Sequence, residues 1–217
     1  MAIVGADGAG KSTVVEAATR SLRAKGYAAR PVDRWDIVDN PNFPAARFMK
    51  ADIRDIRSCV ADMPNPARLL FLVWLVSMAM SPDCVARAQE DLLLIDGYWM
   101  KHVAGEIAYG LDEEWTHNLV AALPVPDLVI YLQLSPEQAW SRKRDSLVPY
   151  ECGMDASCPE SGFLAHQRHI HDFLDSWRDR YGWTTVDASG LLTDVVDSVV
   201  ERICEAHSRP SVRMLET

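Results

Sequence analysis

Gly5-Ala-Asp-Gly-Ala-Gly-Lys-Ser-Thr13 is the stretch that most restricts what this chain can fold into, because it fills every fixed position of G-x-x-x-x-G-K-[ST]. The pattern works only where a buried strand hands the chain over to the start of a helix. Ala2-Ile3-Val4 supplies the apolar strand, and Val14 to Lys25, closed by Gly26, has helical composition. Gly5, Gly8 and Gly10 let the backbone turn tightly enough for successive N–H groups to face phosphate oxygens, and a helix starting near Lys11 adds the positive end of its dipole. A nucleoside triphosphate site is therefore expected, walled by Gly5, Asp7, Gly8, Ala9, Gly10, Lys11, Ser12 and Thr13. Lys11 is expected to reach the β and γ phosphates, and Ser12 to offer its hydroxyl to Mg²⁺, a hard cation that takes few protein ligands.

Strand-like apolar runs recur at Ala2–Val4, Tyr27–Val32, Leu92–Ile95, Leu128–Leu134 and Trp183–Val186, separated by helical stretches. That alternation predicts an α/β fold with a five-stranded parallel sheet wrapped by helices, with ligands at the carboxyl ends of the strands. With 217 residues, 48% of them hydrophobic, one core and one domain suffice; the domain is expected over 1–207, with a frayed tail over 208–217. Leu92-Leu-Leu-Ile95 ends in Asp96, a carboxylate where Mg²⁺ or a transferring phosphoryl group would need one. The second run leaves the sheet as Arg30-Pro-Val-Asp33-Arg34-Trp35-Asp36, with Pro31 marking an edge strand. There Asp33 or Asp36 is a candidate proton acceptor, Arg34 an anion holder and Trp35 a stacking platform; the alternative is a solvated loop with Trp35 plugging the core.

Arg142-Lys143-Arg144 leads into a Pro-, Gly-, Ser- and Cys-rich stretch, so a closing lid over about 142–162 is expected, with Arg142 and Arg144 carrying charge onto the phosphates; a solvated helix face is the plainer reading. A net charge of −9 argues against a nucleic-acid polymer as partner. Five cysteines without C-x-x-C spacing suggest neither a disulfide framework nor a zinc site, and fit a reducing cytoplasm; Cys152 and Cys158 read as solvent-near thiols. The chain begins in its first strand, which leaves no room for a signal peptide. His166, His169 and His171 read as surface residues, and His102 as facing the site or structurally satisfied. Leu69 to Met80, apolar all the way round, is too short to span a bilayer and is the candidate dimer interface, the alternative being cover by neighbouring helices of the same chain.

These residues together resemble the thymidylate kinase family of nucleoside monophosphate kinases, with partial similarity to the deoxynucleoside kinases. The glycine loop matches that family's, including Asp7; Asp96-Gly-Tyr98 and Ala108-Tyr-Gly110 resemble its D-R-[YH] and A-Y-x-G segments. Pro126-Asp-Leu-Val-Ile-Tyr-Leu-Gln-Leu-Ser-Pro-Glu137 with Arg142 resembles its fourth strand and lid approach, and Val186-Asp187-Ala188-Ser189 its late nucleotide-binding turn. The resemblance implies a three-layer P-loop kinase fold, a homodimer, ATP with Mg²⁺ as donor and a pyrimidine nucleotide as acceptor. It implies that Asp7 receives the acceptor's sugar hydroxyl, that Phe71 and Tyr98 line the acceptor site, that Asp187 and Ala188 meet the ATP, and that Asp96 and lid arginines act at the metal and phosphates.

Two positions depart from the pattern. Gly97 stands where the family has an arginine for the acceptor phosphate, and Phe71-Leu-Val-Trp-Leu75 lacks the base-recognising arginine. Lost charged hydrogen bonds cost about 1.5–3 kcal/mol each, unless Arg34, Arg47 or Lys101 takes over. Arg30-Pro-Val-Asp-Arg-Trp35 resembles the E-P-x-x-x-W strand end of the deoxynucleoside kinases, with Arg30 in place of the catalytic glutamate. A hydroxyl kinase or an ATP-binding protein without transfer activity are thus alternatives. No N-K-x-D segment points to a GTPase.

Overall fold

The computed structural model describes residues 1–86 and 92–208. Its elements run β1 (Ala2–Val4), α1 (Lys11–Ala24), β2 (Ala29–Val32), α2 (Ile53–Asp62), α3 (Ala67–Ala79), α4 (Pro82–Ala86), β3 (Leu92–Asp96), α5 (Met100–Ala108), α6 (Glu113–Val120), β4 (Val129–Gln133), α7 (Pro136–Lys143), α8 (Glu160–Tyr181), β5 (Thr184–Asp187) and α9 (Leu192–Ser208). The five strands form one parallel sheet in the order β2-β3-β1-β4-β5. Each expected apolar run holds one of them, and Pro31 sits in an edge strand, where a missing N–H costs no ladder bond.

Alternation along β1 divides the interior in two. Ala2 and Val4 face a core shared with α3, α5 and Trp177, whereas Ile3 faces one built from α1 and α9. This is the three-layer arrangement of a P-loop kinase fold. Ile3 lies opposite Asp96 on one side and Ile130 on the other, and the Gly97 amide donates to the Ile3 carbonyl at 2.9 Å. The loop that leaves β1 at Gly5 therefore opens beside Asp96.

The apolar helix differs from its expected all-round exposure problem. α3 buries Leu69, Leu72, Leu75, Val76 and Ala79 against its own chain, while Leu70 stays 45% exposed. By length and composition Ala67–Ala86 would pass for a membrane span, but the helix breaks after Ala79 and α3 is packed into the core. Ser208 closes α9 and so does not belong to a tail; residues 209–217 lie outside the described residues.

Candidate active site

The glycine loop takes the shape its sequence calls for. Gly8 (φ 82°) and Gly10 (φ 83°) are left-handed, and a Cβ on Gly8 would come within 2.9 Å of the Ala139 side chain on α7. A Cβ on Gly5 would meet the Leu132 carbonyl at 2.8 Å, so the loop lies tight on β4 and α7. Helix α1 begins at Lys11, directly after Gly10, which leaves its first amides facing out from the sheet edge. Lys11 Nζ donates to the carbonyls of Gly5 and Ala6 at 3.0 and 2.8 Å, and burial pushes its pKa down to about 8, with Lys101 acting in the same direction.

A cleft of about 720 Å³ opens over this loop and collects Asp7, Lys11, Ser12, Thr13, Asp33, Arg34, Trp35, Asp96 and Arg142. Those positions are far apart in sequence, and their meeting at the carboxyl edge of the sheet is what the parallel topology dictates. Asp7 is 5% exposed. Burial pushes its carboxyl up, but Lys101, Lys143 and Lys11 outweigh it and hold the group well below the usual carboxylate range. Lys101 Nζ sits 2.6 Å from Asp7 Oδ1, while Gln167 accepts from the Asp7 amide at 3.1 Å. Lys143 pairs with Glu151, whose own carboxyl is raised by burial and by Asp7.

At the β2 end, Asp33 accepts from the Trp35 amide at 2.9 Å and Asp36 from the Asp33 amide at 2.9 Å, a reciprocal cap that rigidifies the turn Arg34–Ile37. Trp35 is buried in the core, and the Arg34 and Arg57 guanidinium carbons stand 5.3 and 5.4 Å from its ring. Arg34 Nε is buried without a hydrogen-bond partner, and burial lowers its pKa. His102 also lines the cleft; burial, then Arg34 and Lys101, hold it neutral.

Several expected site residues lie elsewhere. Arg144 is exposed and outside the cleft lining, because α7 ends at Lys143 and the chain turns there into the 3₁₀ turn Arg144–Ser146; Lys143 faces in instead. Phe71 packs 5.8 Å from Trp74, and the α3 residues that reach the cleft are Arg68 and Leu72, one helical turn apart. Tyr98 is 1% exposed and donates to the Pro124 carbonyl at 2.8 Å, a core tyrosine set by the left-handed turn at Gly97 (φ 58°). Asp187 caps its own turn by accepting from Ser189 and lines a separate depression with Gln133 and Ser135, while Ala188 is buried and its carbonyl accepts from Arg142 at 2.9 Å. His166 is buried, His171 half-buried with Nδ1 2.9 Å from the Tyr131 hydroxyl, and Cys152 is 1% exposed, so none is the surface group its sequence suggested.

The sequence also missed a group behind the cleft. Arg68 forms a buried bidentate pair with Glu106, at 2.5 and 3.0 Å, and Tyr150 donates to Glu106 at 3.2 Å while Tyr109 donates to the Tyr150 carbonyl at 2.6 Å. This ties α3 and α5 to the segment after α7. No motif marks it.

Ser12 and Asp96 offer a hydroxyl and a carboxylate to one cleft, an all-oxygen donor set suited to Mg²⁺. Among the described residues no group of three or more His, Cys, Asp or Glu gathers as a metal cluster.

Fold and site together define a P-loop phosphotransferase architecture. No family model matches the chain. It is 23% identical over 201 residues to a probable thymidylate kinase of Sulfurisphaera tokodaii, covering 92% of this chain and 93% of the relative. It is 26% identical over 205 residues to probable thymidylate kinase 1 of Saccharolobus solfataricus, covering 94% and 95%. A thymidylate kinase of Caenorhabditis elegans is 32% identical over 113 residues, 52% of this chain and 46% of the relative. Its likeness to these thymidylate kinases over most of its length supports a thymidylate kinase-like nucleotide kinase.

Proposed function

We propose that the protein transfers the γ-phosphoryl group of ATP to a nucleoside monophosphate, a thymidylate or modified pyrimidine nucleotide. The observation that carries this reading is the convergence of Lys11, Ser12, Asp96, Arg34 and Arg142 on one cleft over a glycine loop of the right shape. Lys11 moves from the Gly5 and Ala6 carbonyls to the donor phosphates, and Arg142, already bridging to the Ala188 carbonyl, flanks the donor base. Ser12 and Asp96 would hold Mg²⁺, which would supply charge neutralisation on the phosphates. A phosphate oxygen of the acceptor is nucleophilic enough to need no strong base; the reaction asks for positioning and charge, which Lys143 reinforces from α7. The chain is read as one domain over 1–207, with the segment from Arg142 to Gly162 closing over the cleft and excluding water.

A second reading rests on the capped Asp33 at the cleft wall: a hydroxyl acceptor would find its proton acceptor there. The homodimer is proposed through the outer face of α3, where Leu70 is 45% and nearby Phe48 69% exposed, with the Phe48 ring 5.6 Å from Trp74. The test of function is ADP release with MgATP against nucleoside monophosphates, nucleosides and small alcohols, with Lys11→Ala as control. Turnover confined to monophosphates and lost in the variant supports the reading; turnover on nucleosides alone overturns it in favour of the second.

A further inference from the structure

The cleft holds more cation than the donor phosphates need. Lys11, Arg142, Lys143, Arg34, Arg57 and Lys101 all line it. Among them, Lys101 is committed to Asp7, at 2.6 Å with side-chain exposures of 12% and 7%. Asp7 cannot follow Lys101 away: Gln167 holds its amide at 3.1 Å and reaches its second carboxylate oxygen at 3.4 Å. Lys101, on a flexible four-carbon stem, is the partner able to move. Beside it, Arg34 presents a buried Nε with no partner, an unspent donor on the same wall.

We propose that Lys101 is the acceptor's anion ligand: the anionic group draws Lys101 away from Asp7, which the family resemblance already assigns to the acceptor's sugar hydroxyl. Resting on the kinase reading above, this makes the favoured acceptor a sugar phosphate or nucleotide in which an anion and a free hydroxyl lie on one sugar. A neutral alcohol is rejected because its hydroxyl, on reaching Asp7, strands Lys101 in a nearly closed site without a counter-charge. For the right acceptor Lys101 exchanges one anion for another, while Asp7 takes the hydroxyl's hydrogen bond and keeps Lys143 4.0 Å away as its counter-charge. Gly97, with no side chain, offers the anion nothing, and Lys101 on α5 is a cation already at the loop.

The test is titration calorimetry of thymidine monophosphate, the other pyrimidine monophosphates and thymidine into the wild type, Lys101→Gln, Lys101→Met and Lys101→Arg, beside a non-hydrolysable ATP analogue. Lys101→Gln still donates to Asp7, so it keeps the structural contact while removing the charge. Loss of a charged hydrogen bond predicts monophosphate affinity about tenfold to a hundredfold weaker in both the Gln and Met variants, largely restored in Arg, with analogue affinity within about threefold. Unchanged monophosphate affinity in Lys101→Gln, equal weakening of both ligands, or thymidine bound as tightly as its monophosphate overturns the assignment. Monophosphate bound through Lys101 without phosphoryl transfer instead sinks the kinase reading and leaves the assignment standing. Transfer that survives Lys101→Gln with unaltered acceptor KM does the reverse.

Discussion

At the scale of single residues, Lys11 is the group whose titration is open to a direct check. Burial and Lys101 bring it to about 8, whereas contact with triphosphate favours the charged form and raises the value. Binding therefore takes up a proton: about half a proton at pH 8 and almost none at pH 6.5, with affinity falling as pH rises above 8. Calorimetry of an ATP analogue in two buffers of different ionisation enthalpy measures that uptake; none at pH 8 removes the argument. Gly97 is the other informative position. Its φ is 58° and a Cβ there would lie 3.2 Å from Lys11 Cε, so Gly97→Ala strains the backbone and displaces the lysine at once. The expected result is a loss of about 1 kcal/mol in urea unfolding with weakened ATP-analogue binding. An arginine at this place, as the family pattern would have it, meets the same obstacle.

At the scale of elements, the Arg68–Glu106 pair ties α3 to α5 and, through Tyr150, to the segment after α7. Burial lowers the Arg68 pKa, but Glu106 outweighs it and raises the value overall, so the guanidinium stays charged. Arg68→Ala leaves Glu106, fully buried, without its counter-ion and is expected to cost about 3–5 kcal/mol in chemical denaturation. Arg68→Ala/Glu106→Ala, which strands no charge, is expected to recover a large part of that loss. A double variant no better than the single one refutes this account. Elements were also where the sequence was most and least readable. All five strands were visible as apolar runs, the inner ones because a parallel sheet buries both their faces, and the first helix because a glycine loop must precede it. The loop residues, Asp96 and Arg142 could be found for the same reason: they sit at strand ends or in a fixed motif. Phe71, Tyr98 and Arg144 could not be placed, since each depends on a helix phase or a turn set by distant packing. The Arg68, Tyr150 and Gln167 contacts join positions up to 160 residues apart, and no local pattern encodes such pairing.

At the scale of the whole molecule, acid stability follows from histidines that the fold keeps neutral. His166, 5% exposed and stacked 4.7 Å from the Tyr109 ring, is pushed down to about 4 by burial. In the unfolded chain the same group titrates near 6.5. Between those values the unfolded state binds the extra proton, so folding stability falls as pH drops from 6.5 towards 4. Asp7 adds to the loss at lower pH, while Glu151, whose carboxyl is raised, partly opposes it above 4.5. The histidine contribution is isolated by comparison with His166→Gln, which has nothing to titrate at that site. Relative to that variant, the wild type is expected to lose about 2 kcal/mol between pH 7 and pH 5, because the folded form has declined a proton that the unfolded form accepts. Urea unfolding of both proteins at the two pH values measures the difference directly. If the gap between them is the same at both, His166 is protonated as readily in the folded protein as in the unfolded chain, and its burial beneath Tyr109 does not persist in solution.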